Sequence, residues 1–199
     1  LHMTSVANST LLVNMTPIFV TLGGWLFWKQ RISRVFLTGL VLSVVGIFVL
    51  KGGVPTSSDA HLAGDAVALT AAIFYASYIQ FLSRARQAFR TSTIMLWSTI
   101  SASLCTLPLA LALESHVVPG TLRGWLVVLA LAWLTHAAGQ GLIAYAVASL
   151  PPAFSSLTLL IQPVVAALLA VVILNEPLTS LQILGGLIIL AGIGVAKRG

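Results

Sequence analysis

The chain has 199 residues, 58% of them apolar and only 7% charged, and its mean hydropathy is +1.05. This composition excludes a soluble domain of the same size, because about 25% of residues are charged in ordinary soluble proteins. The net charge of +6 comes from Lys and Arg spread over short loops rather than gathered with aromatic residues, which argues against nucleic-acid binding. The single cysteine, Cys105, supports neither a disulfide framework nor a metal site.

Seven apolar segments are predicted to cross a membrane as helices. In chain order they cover about residues 5–28, 35–50, 63–83, 93–113, 124–149, 152–174 and 180–196. Helix is predicted because lipid cannot satisfy open backbone groups, and the segments lack the alternation of β-barrel strands. The second and seventh segments are at the short limit, since a span needs about 20 residues. The sequence therefore predicts an all-α polytopic membrane protein.

An internal repeat relates the two ends of the chain. Residues 1–53 align without a gap with residues 147–199, at an offset of 146, and eleven positions are identical. The identical pairs include Pro17/Pro163, Gly39/Gly185 and Gly46/Gly192. We expect residues 1–53 to be the last two helices of one five-helix repeat and residues 54–199 to be a complete second repeat, because residues 54–146 have no counterpart. About 93 further residues are expected before Leu1, which would make ten helices in the full protein.

The distribution of charge predicts the orientation of these helices. If successive loops alternate between the two sides of the membrane, one side receives eight Lys and Arg residues and the other receives Lys51 and Arg123. The positive-inside rule makes the first side cytoplasmic, so the C-terminus is expected inside the cell. Five spans separate equivalent points of the repeat, and this odd number inverts the second copy relative to the first. Inverted repeats are typical of secondary transporters.

Pro17 and Pro163 are predicted to interrupt their helices at equivalent positions. Each proline lacks an N–H and crowds the carbonyl four residues earlier, which belongs to Val13 or Leu159. Paired interruptions indicate a transporter's binding site, and the alternative is a packing kink without ligand contact. The nearby amides of Asn14 and Gln162 are candidate substrate contacts, or else hydrogen-bonding links between helices.

His136 is the one ionisable side chain in the middle of a predicted span. On an α-helix, Trp133, His136 and Gln140 would fall within about 60° of one another. Ionisable groups inside membranes usually face a cavity, so His136 and Gln140 are candidate substrate contacts. His136 is also the candidate carrier of a coupling proton, because histidine titrates near neutral pH; the alternative is a neutral histidine bonded to a neighbouring helix. Tyr75 and Tyr78, one turn apart, are candidates to line an apolar or cationic substrate path, or else packing residues.

Two stretches of the chain carry a family pattern. The first is TSVANSTLL at residues 4–12, followed by Pro17, Gly39 and Gly46. The second is HAAGQGLIAYA at residues 136–146, followed by LPPA at 150–153, Gln162-Pro163, NEPL at 175–178 and Gly185-Gly186. The pattern resembles the EamA-like branch of the drug/metabolite transporter superfamily. This resemblance implies a ten-helix carrier of the bacterial inner membrane that moves small metabolites and often exports amino acids or toxic compounds.

One position departs from the family pattern. The acidic residue after the fourth helix of the repeat is present as Glu176 in the second copy, but the first copy has Gln30. We interpret this position as a helix cap or hydrogen-bonding group rather than a coupling site.

No enzyme motif, metal-ligand spacing or cofactor loop is recognisable in the sequence. We therefore expect a secondary transporter, not an enzyme, that exports small organic metabolites or drugs by alternating access between inverted repeats. Its partners would be the substrate, the lipid bilayer and a coupling proton. The alternatives are a membrane scaffold or assembly subunit that transports nothing, and a truncated fragment that is inert.

Overall fold

The computed structural model describes residues 6–52, 62–114 and 117–199, and every regular element in these ranges is a helix. Residue 5, where the first span is predicted to begin, and most of the loop predicted at 52–59 lie outside the described residues. Ten α-helices and one π-helical segment follow in order: α1 (Val6–Val13), α2 (Thr16–Trp28), α3 (Arg34–Leu50), α4 (Leu62–Ala88), α5 (Thr91–Leu113), α6 (Leu122–Ala130), the π-helical segment (Leu131–Gln140), α7 (Gly141–Val147), α8 (Pro152–Thr158), α9 (Ile161–Leu174) and α10 (Ser180–Ala196).

Five helical stretches among the described residues are long and apolar enough to cross a membrane. They are Ser9–Trp28, Ala63–Ala88, Thr91–Leu113, Leu122–Val147 and Pro152–Ile173, and the helices Arg34–Leu50 and Ser180–Ala196 are apolar but shorter. The all-α prediction is confirmed, and each stretch coincides with a predicted span. The count of seven spans stays a prediction.

The chain divides into two units. The first contains the described residues up to Gln80 together with Pro151–Gly199, and the second is Phe81–Leu150. The core of the first unit lies where α3 packs along α10, and its fully buried side chains include Ile47, Leu157 and Ile189. Helix α2 packs in the same unit against α8.

The pair α3–α10 is held by a glycine seam, which we define as Gly39, Gly46, Gly185 and Gly192. A Cβ added at Gly39 would lie 2.5 Å from the carbonyl oxygen of Gly192, and one added at Gly46 would lie 3.0 Å from that of Gly185. Residue numbers therefore rise along one helix as they fall along the other, so the two helices run antiparallel. Small residues let helix backbones approach this closely inside a membrane.

The ends of equivalent helices repeat even where the residues differ. Helix α2 ends at Lys29 and α9 ends at Asn175, and both residues have a left-handed backbone, with φ of 49° and 54°. Ser33 caps α3 by accepting a hydrogen bond from Phe36 N, and Thr179 caps α10 in the same way. These four positions are related by the offset of 146 found in the sequence, which extends the repeat to local backbone geometry.

The second unit consists of α5, α6, the π-helical segment, α7 and the end of α4. Arg86 Nε donates to the carbonyl oxygen of Ala144, 3.1 Å away, and links α4 to α7. No side chain of α5 or α6 is buried, and large apolar residues such as Trp97 and Trp133 are exposed. An apolar exposed surface of this kind suits contact with lipid chains.

Candidate functional site

The first break in the helices separates α1 from α2 at Asn14 and Met15. Pro17 is buried in the first turn of α2, where a missing N–H costs nothing because that position has no intrahelical acceptor. The carbonyl of Val13, which the proline leaves without its usual donor, accepts a 2.6 Å hydrogen bond from Thr16 Oγ1. The predicted interruption is therefore present, and its backbone is satisfied locally.

The second break separates α8 from α9 at Leu159 and Leu160. The carbonyl of Leu159, four residues before Pro163, accepts a hydrogen bond of 2.9 Å from Gln162 N. This break lies within one residue of the position equivalent to the first. One turn earlier, Ser155 Oγ is buried without a hydrogen-bond partner among the described residues, so a ligand or water could use it.

The amides beside the two breaks differ in their surroundings. Asn14 is partly buried, whereas Gln162 is exposed. Pro163 is partly buried, unlike Pro17. The two breaks thus share backbone geometry but not side-chain environment, and Asn14 is the better enclosed of the two amides.

Tyr75 and Tyr78 lie side by side on α4, with ring centroids 6.0 Å apart and ring planes at 14°. Both rings pack against a small buried cluster of Val20, Ala76 and Ile79, as do Phe19 and Leu159. Phe19 follows Pro17 by two residues, and Leu159 is part of the second break. The first unit thus brings the tyrosine pair to the same apolar cluster as Leu159 of the second break and Phe19 of α2.

Gln80 joins the same region, although its sequence position did not single it out. It is 2% exposed, and its Nε2 donates a 2.7 Å hydrogen bond to the carbonyl oxygen of Val20. A buried amide in an apolar helix is costly unless it is bonded, so this contact fixes α4 to α2 beside the tyrosines. The sequence signal that could have identified Gln80 is its position as an uncharged polar residue in an apolar segment, two residues after Tyr78.

His136 and Gln140 lie in the second unit, on the π-helical segment. His136 Nε2 is 2.8 Å from Thr99 Oγ1 of α5, and His136 is exposed. Gln140 Oε1 is buried and has no hydrogen-bond partner among the described residues. The predicted angle of about 60° between these side chains assumed an α-helix, whereas this segment has π-helical turns, with bonds from i to i+5.

The family of the chain follows from comparison with known proteins. The EamA-like transporter family matches residues 1–51 and 62–197. The chain belongs to this family. It is therefore a multi-pass membrane protein of a transporter family, and the resemblance noted in its sequence is confirmed.

Two curated relatives and one solved structure extend this comparison. The pseudopaline exporters CntI of Pseudomonas aeruginosa strains UCBPP-PA14 and PAO1 are each 29% identical over 126 residues, which is 63% of this chain and 43% of theirs. The chain thus matches less than half the length of these relatives. One crystal structure superimposes with a TM-score of 0.81 over 99% of this chain and 69% of its own, at 18% identity, and so shares the fold.

Proposed function

We propose that the chain is part of a secondary transporter that exports small organic metabolites or drugs. The observation that carries this proposal is the pair of helix breaks at Asn14–Met15 and at Leu159–Leu160, which are equivalent to within one residue. In secondary transporters, substrate sites typically form at discontinuous helices near the middle of the bilayer. The similarity to a pseudopaline exporter supports an export direction.

The substrate path in this proposal runs past the two breaks and the tyrosine pair. Asn14, Tyr75, Tyr78 and Gln162 supply polar or aromatic contacts, and Pro17 and Pro163 keep the breaks open. Within the second unit, His136 and Gln140 are separate candidate polar contacts, with a proton at His136 as the candidate coupling ion. The described membrane helices carry no Lys or Arg near either break, which disfavours strongly acidic substrates.

Transport in this proposal proceeds by alternating access between two inverted repeats. Residues 1–53 would be the last two helices of the first repeat and residues 54–199 the complete second. The antiparallel glycine seam supports this arrangement. Gly39 faces Gly192, the repeat equivalent of Gly46, and Gly46 faces Gly185, the repeat equivalent of Gly39. Two copies related by a twofold axis in the membrane plane would make this reciprocal contact. The protein would lie in the bacterial inner membrane with its C-terminus in the cytoplasm.

An efflux assay tests the proposal. Cells lacking the gene and cells expressing it are loaded with labelled amino acids or a toxic organic cation, and the initial rate of loss is measured. We expect Pro17→Ala and Pro163→Ala to lower that rate by about tenfold, because a helix-interior proline disfavours a continuous helix by about 3 kcal/mol and alanine lets it close. Protein abundance in the membrane is measured in parallel.

The control variant is Phe74→Ala, which removes an aromatic ring that is 72% exposed on α4 next to Tyr75. It is expected to transport normally, whereas Tyr75→Ala and Tyr78→Ala are expected to be slower. No efflux of any compound by the normal protein would favour the scaffold or the inert fragment. Normal efflux by both proline variants would show that the breaks are packing features.

A further inference from the structure

A groove of about 800 Å³ lies where α2 ends and the chain turns into α3. Its wall is apolar and consists mainly of Leu22, Trp25, Leu26 and Leu37. Leu22, Trp25 and Leu26 share one face of α2 because they are spaced by three and four residues. Their exposed fractions are 52%, 59% and 64%, so no described part of the chain covers this face.

The end of the groove is cationic. Lys29 and Arg31 line it, both are exposed, and neither forms a salt bridge with a carboxylate of the described residues. None of the described residues that line the groove is acidic. An apolar wall that ends in two cations matches a molecule with an apolar chain and an anionic head.

Backbone bonds fix the start of the turn that carries the two cations. Lys29 N–H donates to the carbonyl oxygen of Trp25 and Gln30 N–H to that of Gly24, each over 3.1 Å. Ser33 then caps α3, so the connection between the helices is fixed at both ends. Lysine gains nothing from the left-handed backbone at position 29, which favours Gly, Asn and Asp.

We propose that this groove binds an anionic phospholipid. The phosphate lies between Lys29 and Arg31, and an acyl chain lies along Leu22, Trp25 and Leu26. Cationic pockets between membrane helices bind anionic headgroups in this way, and Trp25 sits one turn before the cations, at the depth where aromatic residues meet the membrane interface. A soluble anion would use the cations but not the apolar wall.

The second repeat provides an internal comparison. The turn at Asn175 has the same left-handed backbone as the turn at Lys29. It continues with Glu176 and Pro177, so it carries a carboxylate and no cation. The lipid site therefore belongs to the first turn alone and is not a general property of the repeated fold.

Native mass spectrometry of the protein released from its own membrane tests the proposal. Phosphatidylglycerol and phosphatidylcholine are added at equal concentration, and the bound fraction of each is measured. We expect the normal protein to retain phosphatidylglycerol. The double variant Lys29→Gln/Arg31→Gln should lower its affinity more than about tenfold, because each cation near an anionic surface contributes about fivefold.

The matched control is Lys197→Gln/Arg198→Gln. It removes the same two charges from exposed positions outside the groove and should leave retention unchanged. A second variant, Leu22→Asn/Leu26→Asn, should weaken lipid binding through the apolar wall while both cations remain. An unchanged melting temperature shows that each variant is folded.

Three results would overturn the proposal. Equal loss of phosphatidylglycerol from both charge variants would mean that net charge alone attracts the lipid. Complete displacement of the lipid by inorganic phosphate would indicate a site for soluble anions. A dimer that carries no lipid, and that Leu22→Asn/Leu26→Asn dissociates, would indicate that a second copy of the chain fills the groove.

Discussion

At the scale of single residues, the bond between Thr99 and His136 is the contact that bears most directly on mechanism. It joins α5 to the π-helical segment over 2.8 Å at an exposed position. A threonine hydroxyl can donate to a neutral imidazole nitrogen or accept from a protonated one, so the bond can persist when His136 changes its charge. Hydrogen bonds between membrane helices average only about 0.6 kcal/mol. We infer that Thr99 positions the imidazole more than it stabilises the fold.

Thr99→Val is therefore expected to alter transport more than stability. The melting temperature should change little, because the lost bond contributes about 0.6 kcal/mol. The dependence of the efflux rate on pH across the neutral range should flatten or shift, as it should in His136→Gln. The reason is that the His136 imidazole loses the hydrogen bond that positions it for proton transfer. Thr99→Ser keeps the hydroxyl and serves as the matched control with a normal profile.

Two outcomes would contradict these assignments. If His136→Gln transports with an unchanged pH profile, neither residue acts in proton coupling. If only Thr99→Val behaves normally, the bond is a link between helices without influence on His136.

The sequence pointed to His136 but not to Thr99 for a physical reason. An ionisable side chain is costly to place inside a membrane and is therefore rare in an apolar segment, so His136 can be recognised from the sequence alone. Gln140 can be recognised as a polar residue one turn away. Threonine is common in membrane helices, and its role here depends on a partner 37 positions away. The bonds of Gln80 and the exposure of Gln162 likewise depend on how helices pack, which local pattern does not determine.

At the scale of helices, the glycine seam sets the distance between α3 and α10. A Cβ added at Gly192 would lie 2.7 Å from the carbonyl oxygen of Gly39 and would also meet Ser43. The Gly39 oxygen and the Ser43 nitrogen are backbone atoms, so they cannot rotate away from the added Cβ. Gly194, two residues later on the same helix, has nothing within 4 Å of its added Cβ.

These neighbours make a matched pair for a stability measurement. Gly192→Ala should destabilise the protein by about 1–3 kcal/mol, the usual cost of overpacking, and should lower its melting temperature in detergent. Gly194→Ala should be neutral or slightly stabilising, because alanine favours helix over glycine by about 1 kcal/mol. Equal melting temperatures for the two variants would mean that α3 and α10 can move apart at the glycine seam without a loss of stability.

Helices and breaks were largely predictable, whereas the π-helical segment was not. Apolar runs bounded by Pro, Gly and charged residues define the spans, and Pro17 and Pro163 define the breaks because proline acts locally. The breaks fall two to four residues before each proline, since the lost bond and the crowded carbonyl both lie on that side. Leu131–Gln140 contains no proline and is apolar on most sides, so its sequence periodicity gives no indication of a wider turn.

At the scale of the whole molecule, the question is whether the two copies of the repeat cross the membrane in opposite directions. The antiparallel packing of α3 and α10 supports that arrangement. A Cβ added to the C-terminal Gly199 would lie 2.7 Å from Phe36 N, which places the end of the chain beside the start of α3. The sequence made the same prediction through an odd number of spans and an excess of Lys and Arg on one side, because both follow from the chain's order alone.

Cysteine labelling tests this topology directly. Arg34 and Ser180 are exposed, begin α3 and α10, and occupy equivalent positions of the repeat. With the single native cysteine removed as Cys105→Ser, each position is changed to cysteine and treated with a membrane-impermeant maleimide.

We expect Ser180→Cys to react in intact cells and Arg34→Cys to react only after the membrane is permeabilised, because the excess of Lys and Arg places the start of α3 in the cytoplasm. Arg198→Cys, at an exposed position next to Gly199, must follow Arg34→Cys, since the two positions lie at the same end of the helix pair. Reaction of Arg34→Cys and Ser180→Cys from the same side would rule out inverted repeats, and with them alternating access between the two copies.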